Sequence, residues 1–320
     1  MKKLVTLFAM LTLLAGCSSF PPPGARPAKI VIGVQSANPV ETSASWQPLV
    51  ADMGKKLGIS MELVTASQTD TVKALGSGKA DVVWLSSSAA IDAVADSKGE
   101  AFALYYNVNG TNGYKAVIAT KASTSIQTLD EALTPGRYRF AAGARTSTSG
   151  YVLPQFFLFT PRKTTAEALF KSVITGGHFP NLEALWAGKV DVIVNNTTDL
   201  AVFKARTLGA KEGIITLWES PLVPNDVLVM RSDAPPATKK LLKDFFMAYG
   251  KTPEEKEWLK KASGILNFVP ADNKLLEPVS AFKFDTERVQ ISVDAALTSE
   301  EKAQRLAELE QRVMRFKQSL

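Results

Sequence analysis

From Lys29 onward the apolar positions switch between two periods. Ile30-Val31-Ile32-Gly33-Val34 is a continuous apolar run, the pattern of a strand buried on both faces. Trp46, Leu49, Val50, Met53 and Leu57 then fall at helical spacing, and Gly58 stands where a glycine ends a helix. The pattern predicts a strand near Met61–Val64, a helix near Asp70–Leu75 and a strand at Asp81–Leu85. Further strands are expected at Phe102–Tyr106 and Tyr114–Ala119, followed by a helix-rich middle from Leu129 to Ala210. Such alternation predicts parallel α/β sheets rather than a sandwich or a bundle.

One segment recurs. Gly78-Lys79-Ala80-Asp81-Val82-Val83 is echoed by Gly188-Lys189-Val190-Asp191-Val192-Ile193. Each copy follows a short Leu-bearing helix and leads into small polar residues and another helix. The echo predicts two similar α/β lobes that present strand ends and helix N-termini to one cleft, where open α/β sheets bind ligands. At the C-terminus, Thr298 and Glu301 form a capping box ahead of Leu306, Leu309, Val313, Phe316 and Leu320, an apolar seam among charged residues. That helix, residues 297–320, either packs back on the body or makes a homodimer contact.

The first residues have another character. Lys2 and Lys3 precede the apolar stretch Leu4–Ala15, which is too short to span a bilayer and ends in Leu14-Ala15-Gly16-Cys17. This resembles a bacterial lipoprotein signal: residues 1–16 are cut off and Cys17 becomes the lipid anchor. Ser18 resembles outer-membrane sorting in a Gram-negative host. Residues 17–28 carry Pro21-Pro22-Pro23 and Pro27 and read as a tether. No later stretch has transmembrane length, so the body is expected outside the cytoplasm, held to a membrane by its acylated cysteine.

Composition narrows the chemistry. Lys+Arg 37 against Asp+Glu 31 is a modest excess with no basic run, which argues against a nucleic-acid partner. One cysteine and one histidine leave no intrachain disulfide and no Cys/His metal site. No nucleophile elbow or phosphate-loop signature supports an enzyme, and no cofactor is expected. The best candidate site is Arg145-Thr146-Ser147-Thr148-Ser149-Gly150-Tyr151-Val152-Leu153-Pro154, which follows the strand pattern Arg139–Ala142. Unpaired N–H groups at a helix N-terminus, joined by consecutive hydroxyls, suit a tetrahedral oxyanion; the alternative is plain N-capping.

Several motifs then appear in order. They are Ser147-Thr148-Ser149-Gly150-Tyr151 with Pro154, Gly177-His178 before Leu182-Glu183-Ala184-Leu185, Val190-Asp191-Val192 with Asn195-Asn196-Thr197, and Ser220 to Asp226. Trp46 to Met53 and Phe245 to Lys256 extend the likeness beyond the site. Together they resemble the phosphonate-binding proteins of bacterial ABC importers over most of the chain past the signal. The resemblance implies a two-lobed, type II-like periplasmic-binding-protein fold with two hinge crossings and the added C-terminal helix. Residues 29–118 plus 221–290 would form lobe 1, and 119–220 lobe 2. It also implies a captor that hands solute to a membrane permease.

Carried over by position, Ser147, Thr148, Ser149 and His178 would hold phosphonate oxygens, and Asp226 would face the ligand. Where the aminoethylphosphonate-binding members have a glutamate, this chain has Thr198; two of their tyrosine positions hold Gln68 and Leu85. The lost carboxylate leaves an ammonium with one partner, so the expectation is a small alkylphosphonate or an inorganic phosphorus oxyanion, with Asp226 accepting from a protonated ligand oxygen. The rival readings are a sulfonate captor, a quaternary-amine captor using Trp46, Trp84, Tyr105, Tyr106 and Trp218 as a cage, and an enzyme on the same fold.

Overall fold

The computed structural model describes residues 27–36 and 38–320; the signal segment, Cys17 and most of the tether lie outside them. Thirteen strands run through the described residues. They are β1 (Lys29–Gln35), β2 (Ser60–Ala66), β3 (Val82–Leu85), β4 (Gly99–Asn107), β5 (Gly113–Tyr114), β6 (Ala116–Lys121) and β7 (Arg139–Ala142). The rest are β8 (Ser172–Thr175), β9 (Val192–Asn196), β10 (Ile214–Glu219), β11 (Val223–Pro224), β12 (Val227–Arg231) and β13 (Ile265–Pro270).

They form two sheets and a ribbon. The first sheet has the order β13-β4-β12-β3-β1-β2 and the second β10-β6-β9-β7-β8. In each, three parallel strands (β2-β1-β3 and β8-β7-β9) meet an antiparallel strand (β12 and β6) that has just crossed from the other lobe. β5 and β11 pair antiparallel at the two crossings, with Val223 opposite Tyr114 and Pro224 opposite Gly113. The expected lobe boundary between 118 and 119 is corrected here, because it falls inside β6, all of which belongs to the second sheet. The Tyr114–Ala119 strand is likewise two strands. At Lys115 the backbone leaves β11 and bonds to Thr197 instead, donating to Thr197 Oγ1 at 3.1 Å and accepting from Thr197 N at 3.0 Å.

The sequence echo is a structural repeat. Asp81 N donates to Val31 O and Asp191 N to Arg139 O, each at 2.9 Å, and the carboxylates accept back from Val31 N and Arg139 N, each at 2.8 Å. Gly78 and Gly188 precede them at φ 72° and 70°, a left-handed turn that glycine makes without a Cβ penalty. Each aspartate so fixes its strand beside β1 or β7 and aims the strand's C-terminus at the space between the lobes.

The last helix, Ser299–Gln318, packs back on the body. Leu309 and Phe316 are buried in the first lobe's core, with Val313 and Leu320 against it, so this face is taken within one chain. Arg312 adds ion pairs to Asp92, Asp96 and Glu287, and Lys283 pairs with Asp92 and Glu287. The neighbouring helix Glu277–Val293 touches both lobes. Its Phe282 ring lies 4.9 Å and 5.2 Å from Phe156 and Phe157 of the second lobe.

Candidate functional site

Ser147 ends the turn after β7 and caps the helical segment beyond it: its Oγ accepts from Gly150 N at 3.0 Å. The next turns are π-helical, Thr148–Val152 and Gln155–Phe159, rather than a regular α-helix, with Pro154, which has no N–H to give, between them. Gly150 is required by a close approach. A Cβ there would meet Ser147 Oγ at 2.8 Å and Gly143 Cα at 2.9 Å. The turn thus lies flat against the residue that follows β7.

The hydroxyls of this turn have partners from several elements. Ser149 Oγ is 3.2 Å from His178 Nε2, and His178 opens the helix His178–Trp186 with its carbonyl held by Asn195 Nδ2 at 2.8 Å. Burial lowers the His178 pKa, only partly offset by Asp199, so the ring is neutral at pH 7 and donates one N–H. Thr148, fully buried, accepts from Ser88 N of the opposite lobe at 2.8 Å. The Tyr114 phenol of the hinge ribbon is pushed up by burial and then by the charge of Asp226, while hydrogen bonding to Thr148 and Ser149 opposes the shift. It stays protonated.

Asp226 stands at the start of β12, where the chain has just crossed the hinge. Its Oδ2 accepts from Gln35 Nε2 and from Trp84 Nε1, both at 3.0 Å. Burial raises its pKa to about 6, helped by repulsion from Asp199 and opposed by the two hydrogen bonds. Near neutral pH this carboxyl is therefore poised to give up or take a proton.

The sequence-predicted residues divide. Ser147, Thr148, Ser149 and His178 come together in the second lobe, and Asp226 lies at the hinge across from them. Gln68 opens the helix Gln68–Gly76 and accepts from Ser86 Oγ at 3.5 Å. Thr198 is half-buried in the first turn of the helix Thr197–Arg206. Leu85 is fully buried in the first lobe's core and gives the cleft no polar group. The aromatic residues proposed as a cage do not form one. Trp46, Trp84 and Tyr105 pack at 4.9–5.0 Å in the first lobe's core, Trp218 packs near Phe157 in the second, and the Trp84 N–H donates to Asp226. Reasoning from sequence missed Gln35 and Ser88. Their signal was positional: each is among the first polar residues past an apolar strand, at adjacent parallel strand ends.

Two α/β lobes on a two-stranded hinge, with polar groups from both gathered beside it, define a periplasmic-type solute-binding protein. The profile of the family described as ABC transporter, phosphonate, periplasmic substrate-binding protein matches residues 32–276, and the chain belongs to that family. It is 30% identical over 267 residues to the phosphonates-binding periplasmic protein of Escherichia coli K12, covering 83% of this chain and 78% of that one. A binding-protein component of an ABC phosphonate transporter from Pseudomonas aeruginosa superposes with a TM-score of 0.78 at 26% identity, covering 91% of this chain and 97% of its own. A Prochlorococcus marinus protein solved with methylphosphonate shares the fold at a TM-score of 0.70 and 16% identity, over 80% and 97% of the two chains. Membership makes this a periplasmic substrate-binding component of a phosphonate ABC transporter.

Proposed function

We propose that the protein captures a small phosphonate between its lobes and delivers it to the permease of an ABC importer. One observation carries this reading. Ser147, Thr148 and Ser149 open a helical turn within reach of the neutral His178, while Asp226 is held from the opposite lobe by Gln35 and Trp84. Hydroxyls, N–H groups and one ring N–H meet the phosphonate oxygens, and Asp226 accepts from a protonated ligand oxygen. Thr198 supplies no second carboxylate, which favours alkylphosphonates or inorganic phosphorus oxyanions over 2-aminoethylphosphonate. The first lobe comprises the residues of the first sheet with the two C-terminal helices, the second those of the second sheet, and Cys17 ties the body to the periplasmic face of a membrane. The burial of Leu309 and Phe316 favours a last helix that serves its own chain over a homodimer contact.

Calorimetry with methylphosphonate tests the site: Ser147→Ala and Thr148→Ala are each expected to weaken binding by about 1–3 kcal/mol. Unchanged affinity in both would move the site elsewhere.

A further inference from the structure

Buried polar side-chain atoms without a partner are uncommon in folded proteins, and each one asks for an explanation. Among the described residues four have none: Gln35 Oε1, Ser88 Oγ, Asn225 Oδ1 and Thr286 Oγ1. Three of the four belong to residues that hold the site. Gln35 uses its Nε2 on Asp226, Ser88 uses its backbone N–H on Thr148, and Asn225 precedes Asp226 and uses its Nδ2 on the carbonyls of Tyr105 and Thr111.

Gln35 and Ser88 lie at the ends of two adjacent parallel strands. Gln35 ends β1, and β1 pairs in parallel with β3, Val34 opposite Trp84. Ser88 lies in the first turn of the helix Ser87–Asp96 that follows β3, with no exposed surface. The orientation of the Gln35 amide is set by Asp226, because a carboxylate accepts from the NH2 and repels the carbonyl oxygen. That leaves Oε1 as an acceptor only. Ser88 Oγ can donate or accept. An acceptor and a group that does both, at the ends of neighbouring strands, together complement a hydroxyl, which gives one proton and accepts another.

We infer that Gln35, with Ser88, is a specificity-determining residue that selects phosphonates carrying a hydroxyl on the carbon chain over plain alkylphosphonates. This rests on the phosphonate-binding reading of the same cleft. A methyl group would leave both atoms unsatisfied, and sites built to bond a hydroxyl reject analogues that lack it. An ammonium fits less well. It has donors only and cannot accept from Ser88 Oγ, and of the two carboxylates nearby Asp226 already takes two hydrogen bonds on Oδ2 while Asp199 accepts from Asn196 Nδ2.

The test is calorimetry of the whole protein with methylphosphonate, hydroxymethylphosphonate, ethylphosphonate, 2-hydroxyethylphosphonate and 2-aminoethylphosphonate. One of the hydroxyl ligands is expected to bind at least tenfold more tightly than its alkyl counterpart, and more tightly than the amine. In Gln35→Met, which keeps the chain length but removes the acceptor, that ratio should fall below threefold. Ser88→Ala, which keeps the backbone N–H to Thr148, should lower it in the same direction. A parent that binds methylphosphonate but shows no hydroxyl preference overturns the inference and leaves the phosphonate reading standing, as does a ratio unmoved in both variants. Tightest binding of 2-aminoethylphosphonate also overturns it. A parent that binds none of the five overturns both.

Discussion

Asp226 is the residue whose surroundings most oppose its ordinary chemistry. Its pKa is raised to about 6 by burial and by Asp199, whereas an unfolded aspartate ionises near 3.9. Between these values the native state binds the extra proton, so stability falls as pH rises from about 4 through 6 and the loss is complete above that. Asp226→Asn removes the titration. Without ligand, the variant should melt above the parent at pH 7.5 and the difference should vanish near pH 4. Thermal unfolding across that range checks it, and equal melting temperatures at pH 7.5 would mean that Trp84 and Gln35 fully offset the burial. Ligand binding has its own pH sign: where Asp226 accepts from a protonated ligand oxygen, affinity weakens as the ligand's last proton leaves.

At the scale of elements, the packing of one turn on one strand decides the site. A Cβ at position 150 would push on Ser147 Oγ and on the Gly143 backbone, which has no flexible end to give way. Gly150→Ala is therefore expected to weaken methylphosphonate binding at least tenfold, more than a cap loss alone, as read by calorimetry. A second element-scale prediction concerns the helix Glu277–Val293, beside the last one. Lys283, 5% exposed at its side chain, serves both Asp92 and Glu287. Lys283→Met strands these carboxylates with Arg312 alone and should cost about 3 kcal/mol of stability by denaturant titration. Elements with a buried face were legible in the sequence: β1, the helix ending at Gly58 and β3 all lie where the pattern puts them. β8 was not, because it is a sheet edge with Ser172, Ile174 and Thr175 exposed and so carries no alternation. The turn at Ser147–Ser149 was legible from its hydroxyl run. The wall opposite was not, since Gln35 acquires its meaning only when β12 brings Asp226 beside it from residue 226, far along the chain.

Over the whole molecule, the hinge is a ribbon of two short strands, and specific contacts join the lobes. Ser88 N to Thr148 Oγ1 ties the lobes near the hinge, and the Phe282 ring rests against Phe156 and Phe157. Such an architecture opens and closes about its crossings. Saturating methylphosphonate should reduce the radius of gyration in small-angle scattering; an unchanged value with saturation shown by calorimetry would argue for a rigid site.

The crossings also impose an order on biogenesis. β12, residues 227–231, lies in the middle of the first sheet, between β3 and β4, so that sheet stays split until the chain has run through the whole second lobe. The second sheet needs only residues 116–219 and closes shorter loops. A chain emerging N-terminus first from a translocation channel thus completes its second lobe while the first is still waiting for its central strand. Pulse-labelled hydrogen exchange during refolding should protect the amides of Ile118 and Ile193 before those of Val83 and Ala103, and the reverse order would show that the β2-β1-β3 half-sheet nucleates by itself.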